Sequence, residues 1–285
     1  MISLQNPERK SRKNILPGDS DKKKVTKTQE HKSTRAQEHK STRCKSVIVP
    51  FTKGSNMERH FHEELEKFHA SLLKMSSMVN QALDKAFQAL KTQNKALANE
   101  VISQDQQIDE LEISNDEHAM FLLALNQPMA IDLRMITTGM HVNSELEMMA
   151  DLIVNIAQKA LLLADQPLLK PLADIERLVV VAKRMIHQAS DAFITKDIQL
   201  AKEVIASDKE SNMLRDEIMK ELIYDYMVKD GKTAPKAVPL LLVARDLERI
   251  CDYASTIAED VIYMIQAKVV KHHPERLNGE NGSAV

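Results

Sequence analysis

Acidic residues recur in this sequence at a spacing suited to holding a cation. Glu248 and Asp252 stand four residues apart in "ARDLERICDYASTIAEDVIYMI", a strongly helical run. Four residues is about one helical turn, so both side chains project from one face. Glu147 and Asp151 repeat the pair in "SELEMMADLIVNIAQ", and Asp105 and Asp109 form a third. A fourth pair is altered, because Asp208 is followed four residues later by Asn212. Carboxylates are hard oxygen ligands, so converging pairs suit a hard cation or several bridged cations. Water, hydroxide or an anion such as phosphate would complete the coordination. Any single pair is commonplace on a solvated helix face, and its like-charge cost, roughly a few tenths of a kcal/mol, decides nothing. Recurrence at equivalent places singles these pairs out, although duplication of one ancestral segment would produce the same recurrence.

The elements that must position them are helices. The chain of 285 residues has 4% aromatics, 6 Gly and 15 Met, with 43% hydrophobic residues, a composition that favours an all-α protein. Periodicity predicts six helices, at about 60–92, 94–126, 128–165, 171–195, 198–229 and 235–272. The first carries Phe61, Leu65, Phe68, Leu72, Met75, Val79 and Leu83 at helical spacing. Pro128 fits the first turn of the third, Asp197 the cap of the fifth, Gly231 its end, and Thr233 with Pro235 the start of the sixth. Pro167 and Pro171 punctuate a connection between halves.

The six helices read as two copies of three. "LANEVISQD" at 97–105 matches "LAKEVIASD" at 200–208 at an offset of 103, and the segment at 144–158 matches 245–259 at an offset of 101. The junction between the first two helices is four residues shorter in the second copy, counted from Asp84 and Asp191. Two tandem three-helix bundles with approximate two-fold symmetry follow, at 58–166 and 167–273. Consecutive helices joined by short loops are antiparallel neighbours, so the acidic pairs on the second and third helix of each bundle face one another. On the last helix, Glu248 and Asp252 fall about 120–160° from the centre of the apolar stripe, which places them on an exposed or groove-edge face.

Residues 1–57 hold 14 Lys/Arg against 5 Asp/Glu, and residues 58–285 hold 25 against 36. The basic segment, with "QEHKSTR" at 29–35 and again at 37–43, reads as a disordered tail. Met57 reads as an alternative translation start, and 274–285 as a flexible tail. The acidic body argues against DNA binding by the folded part. There is no signal peptide, no 18-residue apolar run and no disulfide framework from Cys44 and Cys251, which fits a cytoplasmic protein. Cys251 lies on the apolar stripe as a core thiol. "EKFH" at 66–69 is a lone Glu-x-x-His, where a di-iron bundle needs two. His60, His62 and His69 are placed on the surface. Phosphate-cradling Gly-rich loops, nucleophile elbows and zinc-ligand spacings are absent.

"LNQPMAIDLRMI" (125–136), "SELEMMADLIVNIA" (144–157) and "LLLVARDLERICDYASTIAEDVIYMI" (240–265) resemble the PhoU family of phosphate-specific transport accessory proteins, and the resemblance runs from about Met57 to His272. It implies a fold of two three-helix bundles and a regulator of phosphate homeostasis, not an enzyme. Such a protein restrains phosphate uptake and the starvation response between the ATPase subunit of a phosphate ABC importer and a phosphate-sensing histidine kinase, as a homodimer, at times at the inner face of the membrane through its partners. It also implies surface metal clusters on Glu/Asp-x-x-x-Asp motifs. The metals are divalent or trivalent, iron or zinc first, with manganese, magnesium or nickel as alternatives. The matching positions are Asp105, Asp109, Glu147 and Asp151 in one copy and Asp208, Glu248 and Asp252 in the other. The chain departs from the family pattern at Ala150 and Cys251, where a glycine is usual, at Met148, where an arginine is usual, and at Asn212. A carboxylate-bridged metal store or metalloenzyme is the rival reading, and a plain helical scaffold a third.

Overall fold

The computed structural model describes residues 56–268. The expectations about the basic tail, the alternative start at Met57 as an initiator, and the end of the chain beyond 268 lie outside the described residues or are not structural. All that follows concerns the described part of the unit Thr52–Val285.

The described residues form six α-helices: α1 (Asn56–Thr92), α2 (Lys95–Asn126), α3 (Ile131–Leu163), α4 (Ala173–Thr195), α5 (Ile198–Lys220) and α6 (Ala234–Gln266). Helices α1–α3 pack as one bundle and α4–α6 as the other, joined by α1 against α4 and α3 against α6. Among the described residues there is no strand, and no helix is long and apolar enough to cross a membrane. The core is aliphatic. Phe68, Met75, Leu83, Ile136, Leu146, Ile153, Ile175, Phe193, Leu247 and Ile257 are all buried, each contributing roughly 1.5–3 kcal/mol by removal from water.

Both halves use the same first turn. Gln93 and Lys196 each adopt φ of 57°, which ends α1 and α4 in the left-handed region. The next residue caps the following helix. Asn94 accepts from the Leu97 amide, and Asp197 from the Gln199 and Leu200 amides. The amides of Asn94 and Asp197 reach back to the carbonyls of Ala89 and Ala192, each at 3.0 Å. The turn is therefore not shorter in the second copy. The four-residue difference is absorbed inside the helix as about one turn, which leaves the buried face unchanged.

Three boundaries differ from the sequence expectation. Pro128 precedes α3 instead of entering its first turn. Gln127 and Ala130 on either side of it take positive φ, and the helix begins at Ile131. The fifth helix loosens after Lys220 into a π-helical turn over Glu221–Met227, with the Val228 amide bonded to the Ile223 carbonyl. Thr233 makes no side-chain cap. Asp230 caps the short 3₁₀ turn Gly231–Thr233, and Pro235 sits in the first turn of α6 as its fixed φ allows.

The α1–α4 contact runs antiparallel through polar groups. Ser76 and Ser190 share a buried hydrogen bond of 2.7 Å, with Lys183 on Asp84 (2.6 Å) and Lys91 on Glu176 (2.8 Å) to either side. The α3–α6 contact is likewise antiparallel. Lys159 pairs with Asp246 (3.2 Å), and the Arg134 Nε donates to the Met264 carbonyl (2.8 Å) at the end of α6. Between α3 and α4, the connection is held by Lys170, which is buried and bonds Asp174 and Glu221.

Candidate functional site

The acidic pairs come together as two clusters, one per bundle. In the first, α2 carries Asp105 and Asp109, and α3 carries Glu147 and Asp151. The helices are long and antiparallel, and small Ala150, buried where a glycine is usual, lets them approach. The carboxylates interact across that seam. Burial, then the Asp109 and Asp151 carboxylates, push Asp105 up to about 6. Burial and then Asp151, Glu112, Asp109 and Asp105 raise Glu147. Burial, Asp116 and Asp109 raise Glu112. Glu112 stands about one turn beyond Asp109 on the same helix and was not singled out from the sequence. A hollow of about 180 Å³ adjoins Asp105, walled by Met78, Lys85, Ile108, Ala150 and Ile153. Lys85 reaches Glu100 and Gln104, each at 2.8 Å. Among the described residues no ion pair engages Asp105, Asp109, Glu112, Glu147 or Asp151.

The second cluster lies between α5 and α6 and is built differently. Asp208 accepts from the Asn212 amide at 2.9 Å, and the Asn212 oxygen accepts from Arg215 Nη2 at 2.9 Å. Arg215 Nη1 lies 3.4 Å from Glu248 Oε1. Burial, then the Glu248 and Asp208 carboxylates and a hydrogen bond to Asp208, push Asp252 up to about 6 against the pull of Arg215. Arg215, too, was not singled out from the sequence. Its signal was there, since the offset of 103 that equates Asp105 with Asp208 also equates Glu112 with Arg215.

Glu248, expected on an exposed or groove-edge face, lies on the buried side of that edge. Its residue is 9% exposed, whereas Asp252 is open to solvent. The reason is that α6 packs against α3, α4 and α5 together. A helix covered from three sides keeps only a narrow exposed strip, through Arg245, Arg249 and Asp252, so Asp246 and Asp260 are buried on it as well. Cys251 is fully buried as expected, and burial raises its thiol. Arg249 stays on its own helix, bonded to the Tyr253 hydroxyl at 3.1 Å.

The Glu-x-x-His motif does not make a ligand pair. Glu66 is exposed, while His69 turns inward against the edge of Phe193, with ring centroids 5.4 Å apart. Burial, then Lys196, push His69 down to about 4, so it is not the surface histidine expected. His60 and His62 are exposed.

Among the described residues no three His, Cys, Asp or Glu side chains converge closely enough to hold a metal ion. The first cluster is a gathering of uncompensated carboxylates, and its fit to a hard cation is one of charge and oxygen chemistry. Asp105, Asp109, Glu147 and Asp151 would hold the ion, with Glu112 beside them.

Comparison with known proteins follows the same lines. The family model described as the PhoU domain matches residues 72–160 and 175–261, one match in each bundle. The phosphate-specific transport system accessory protein PhoU homolog of Aquifex aeolicus (strain VF5) is 39% identical over 218 residues, which cover 76% of this chain and 98% of that protein. The PhoU accessory protein of Escherichia coli (strain K12) is 31% identical over 224 residues, covering 76% and 91%. The crystal structure of PhoU from Pseudomonas aeruginosa aligns with a TM-score of 0.70 at 31% identity, over 73% of this chain and 100% of that one. That of the phosphate transport system regulatory protein PhoU from Streptococcus pneumoniae aligns with a TM-score of 0.69 at 26% identity, over 74% and 99%. Two tandem three-helix bundles, an acidic cluster at the same seam of each and a domain match in both halves have one common source: the chain belongs to the PhoU family.

Proposed function

We propose that this protein is a regulatory accessory protein of a phosphate-specific transport system, an adaptor and not an enzyme. It works in the cytoplasm, as a homodimer. It couples the ATPase subunit of a phosphate ABC importer to a phosphate-sensing histidine kinase, and thereby restrains phosphate uptake and the starvation response. The observation that carries this reading is the length of the match, since relatives named as phosphate-specific transport accessory proteins align across both bundles. The turned-in His69 removes the one motif that favoured a di-iron enzyme. Deletion of the gene tests the adaptor. Phosphate-responsive genes should lose repression at high phosphate, and repression that persists unchanged would sink the reading. A pull-down from membranes at high and low phosphate should recover the importer ATPase and the kinase.

The acidic seam is the cation site of this reading. A bound ion, iron or zinc first, with manganese, magnesium or nickel as alternatives, would neutralise carboxylates that repel one another in its absence. The residues of this chain would orient it between α2 and α3, leaving its outer face to water or phosphate. Metal content of the purified protein tests this: Glu147→Ala with Asp151→Ala should lower it, and unchanged content would exclude the seam.

A further inference from the structure

The two clusters are equivalent by descent and unequal in charge. The first brings five carboxylates together, from Asp105, Asp109, Glu112, Glu147 and Asp151. The second has three, from Asp208, Glu248 and Asp252, and a guanidinium from Arg215 set among them. Two substitutions make the difference, Asp109 becoming Asn212 and Glu112 becoming Arg215 at the offset of 103. Neither is idle in the structure. Asn212 spans the cluster, giving its amide to Asp208 and its oxygen to Arg215, each at 2.9 Å. Arg215 pairs with the adjacent Asp216 through its Nε at 3.0 Å and through Nη1 faces Glu248, 3.4 Å away, whose side chain is nearly buried. A guanidinium is permanently charged and presents several donors in a fixed plane, so it replaces an ion without needing water to complete its coordination. A nearly buried carboxylate such as Glu248 is costly without a counter-charge, and Arg215 supplies one.

We infer that Arg215 is the resident cation of the second cluster, so that its carboxylates are partly offset from within and only the first cluster takes a cation from solution. Held by Asn212, the guanidinium stands where an incoming ion would have to stand, and repels it. The inference rests on the cation reading of the first cluster for its contrast, but the role of Arg215 stands on its own bonds.

The full chain, stripped with EDTA, tests it with Mn²⁺ as the probe. By titration calorimetry, Asp105→Asn with Asp151→Asn abolishes Mn²⁺ binding, because the second cluster does not substitute. Asn212→Asp with Arg215→Glu adds Mn²⁺ binding to that background. In EDTA, Arg215→Ala lowers the melting temperature by about 2–4 °C, and on the Asp105→Asn/Asp151→Asn background Mn²⁺ in excess of the chelator restores it. Arg215→Gln, which keeps a polar stem, serves if the alanine variant does not fold. Mn²⁺ binding that survives Asp105→Asn/Asp151→Asn and disappears with Glu248→Gln overturns the inference. So does an unchanged melting temperature of Arg215→Ala in EDTA. If the wild-type chain binds no Mn²⁺ at all, the cation reading of the first cluster fails, and the EDTA melting experiment still decides the role of Arg215.

Discussion

Gly139 lies under the ring of Phe68. A Cβ built on Gly139 would come within 2.5 Å of Phe68 Cε1 and 3.4 Å of Leu72 Cδ1, and Phe68 is fully buried. Helices α1 and α3 therefore approach here to a distance that only glycine allows. Gly139→Ala should force the ring off its rotamer and lower stability by about 1–3 kcal/mol. Urea denaturation monitored by circular dichroism measures it, and a midpoint equal to wild type would show that the ring has room to move.

Asp105 and Asp252 predict how stability changes with pH. Their folded carboxyls sit at about 6 against an ordinary value of 3.8. Between those values the folded chain binds more protons than the unfolded one, so this contribution to stability is full below about pH 4 and is lost as pH rises through about 6. Solvent screening at these half-open positions limits each to about 1 kcal/mol. In metal-free buffer, Asp105→Asn with Asp252→Asn should gain melting temperature over wild type at pH 7 and none at pH 4. An equal difference at both pH values would count against the carboxylate origin.

His69 gives a shift of the opposite sign. With its folded value depressed to about 4, it is neutral in the folded chain and contributes stability above its ordinary value of 6.5, lost as pH falls through about 4. Its imidazole should remain neutral by nitrogen NMR at pH 5.5. An imidazolium at that pH would contradict the packing against Phe193.

Lys170 anchors the connection between the bundles. Its side chain is 3% exposed, and it bonds both Asp174 and Glu221. Lys170→Ala leaves Asp174 half-buried and uncompensated, at a cost of about 3 kcal/mol. Adding Asp174→Asn should recover part of it. Thermal unfolding of the single and double variants measures the coupling, and strictly additive losses would rule out the ion pair as the anchor.

Much of this was legible in the sequence. Helical periodicity located all six helices, because their apolar stripes are long and regular. The duplication told which carboxylates should share a seam, and Asp197 announced its cap. The misses have physical causes. Pro128 suits a first helical turn by its φ, yet it stands in a connection whose flanking Gln127 and Ala130 take positive φ, which nothing in their side chains advertises. Glu248 was set on an outer face because a wheel drawn for α6 alone sees one apolar stripe, whereas three helices cover it. The π-helical turn at Glu221–Met227 follows from packing and has no local sequence signature. Arg215 and Glu112 were readable at the same offset as the pairs, but a charge reversal is silent to a search for matching acids.

The seam between the bundles has a consequence for how they stay together. Serines, lysines and carboxylates line the α1–α4 contact, while α3 against α6 merges the apolar interiors of the two bundles. The partners are also tethered through the short connection from Ala164 to Leu172, so each meets the other at an effective concentration on the order of millimolar or above. Covalent linkage and the α3–α6 packing thus relieve the polar α1–α4 strip of the need for affinity. Substitutions such as Ser76→Asp would act on the angle between the halves before they acted on their association.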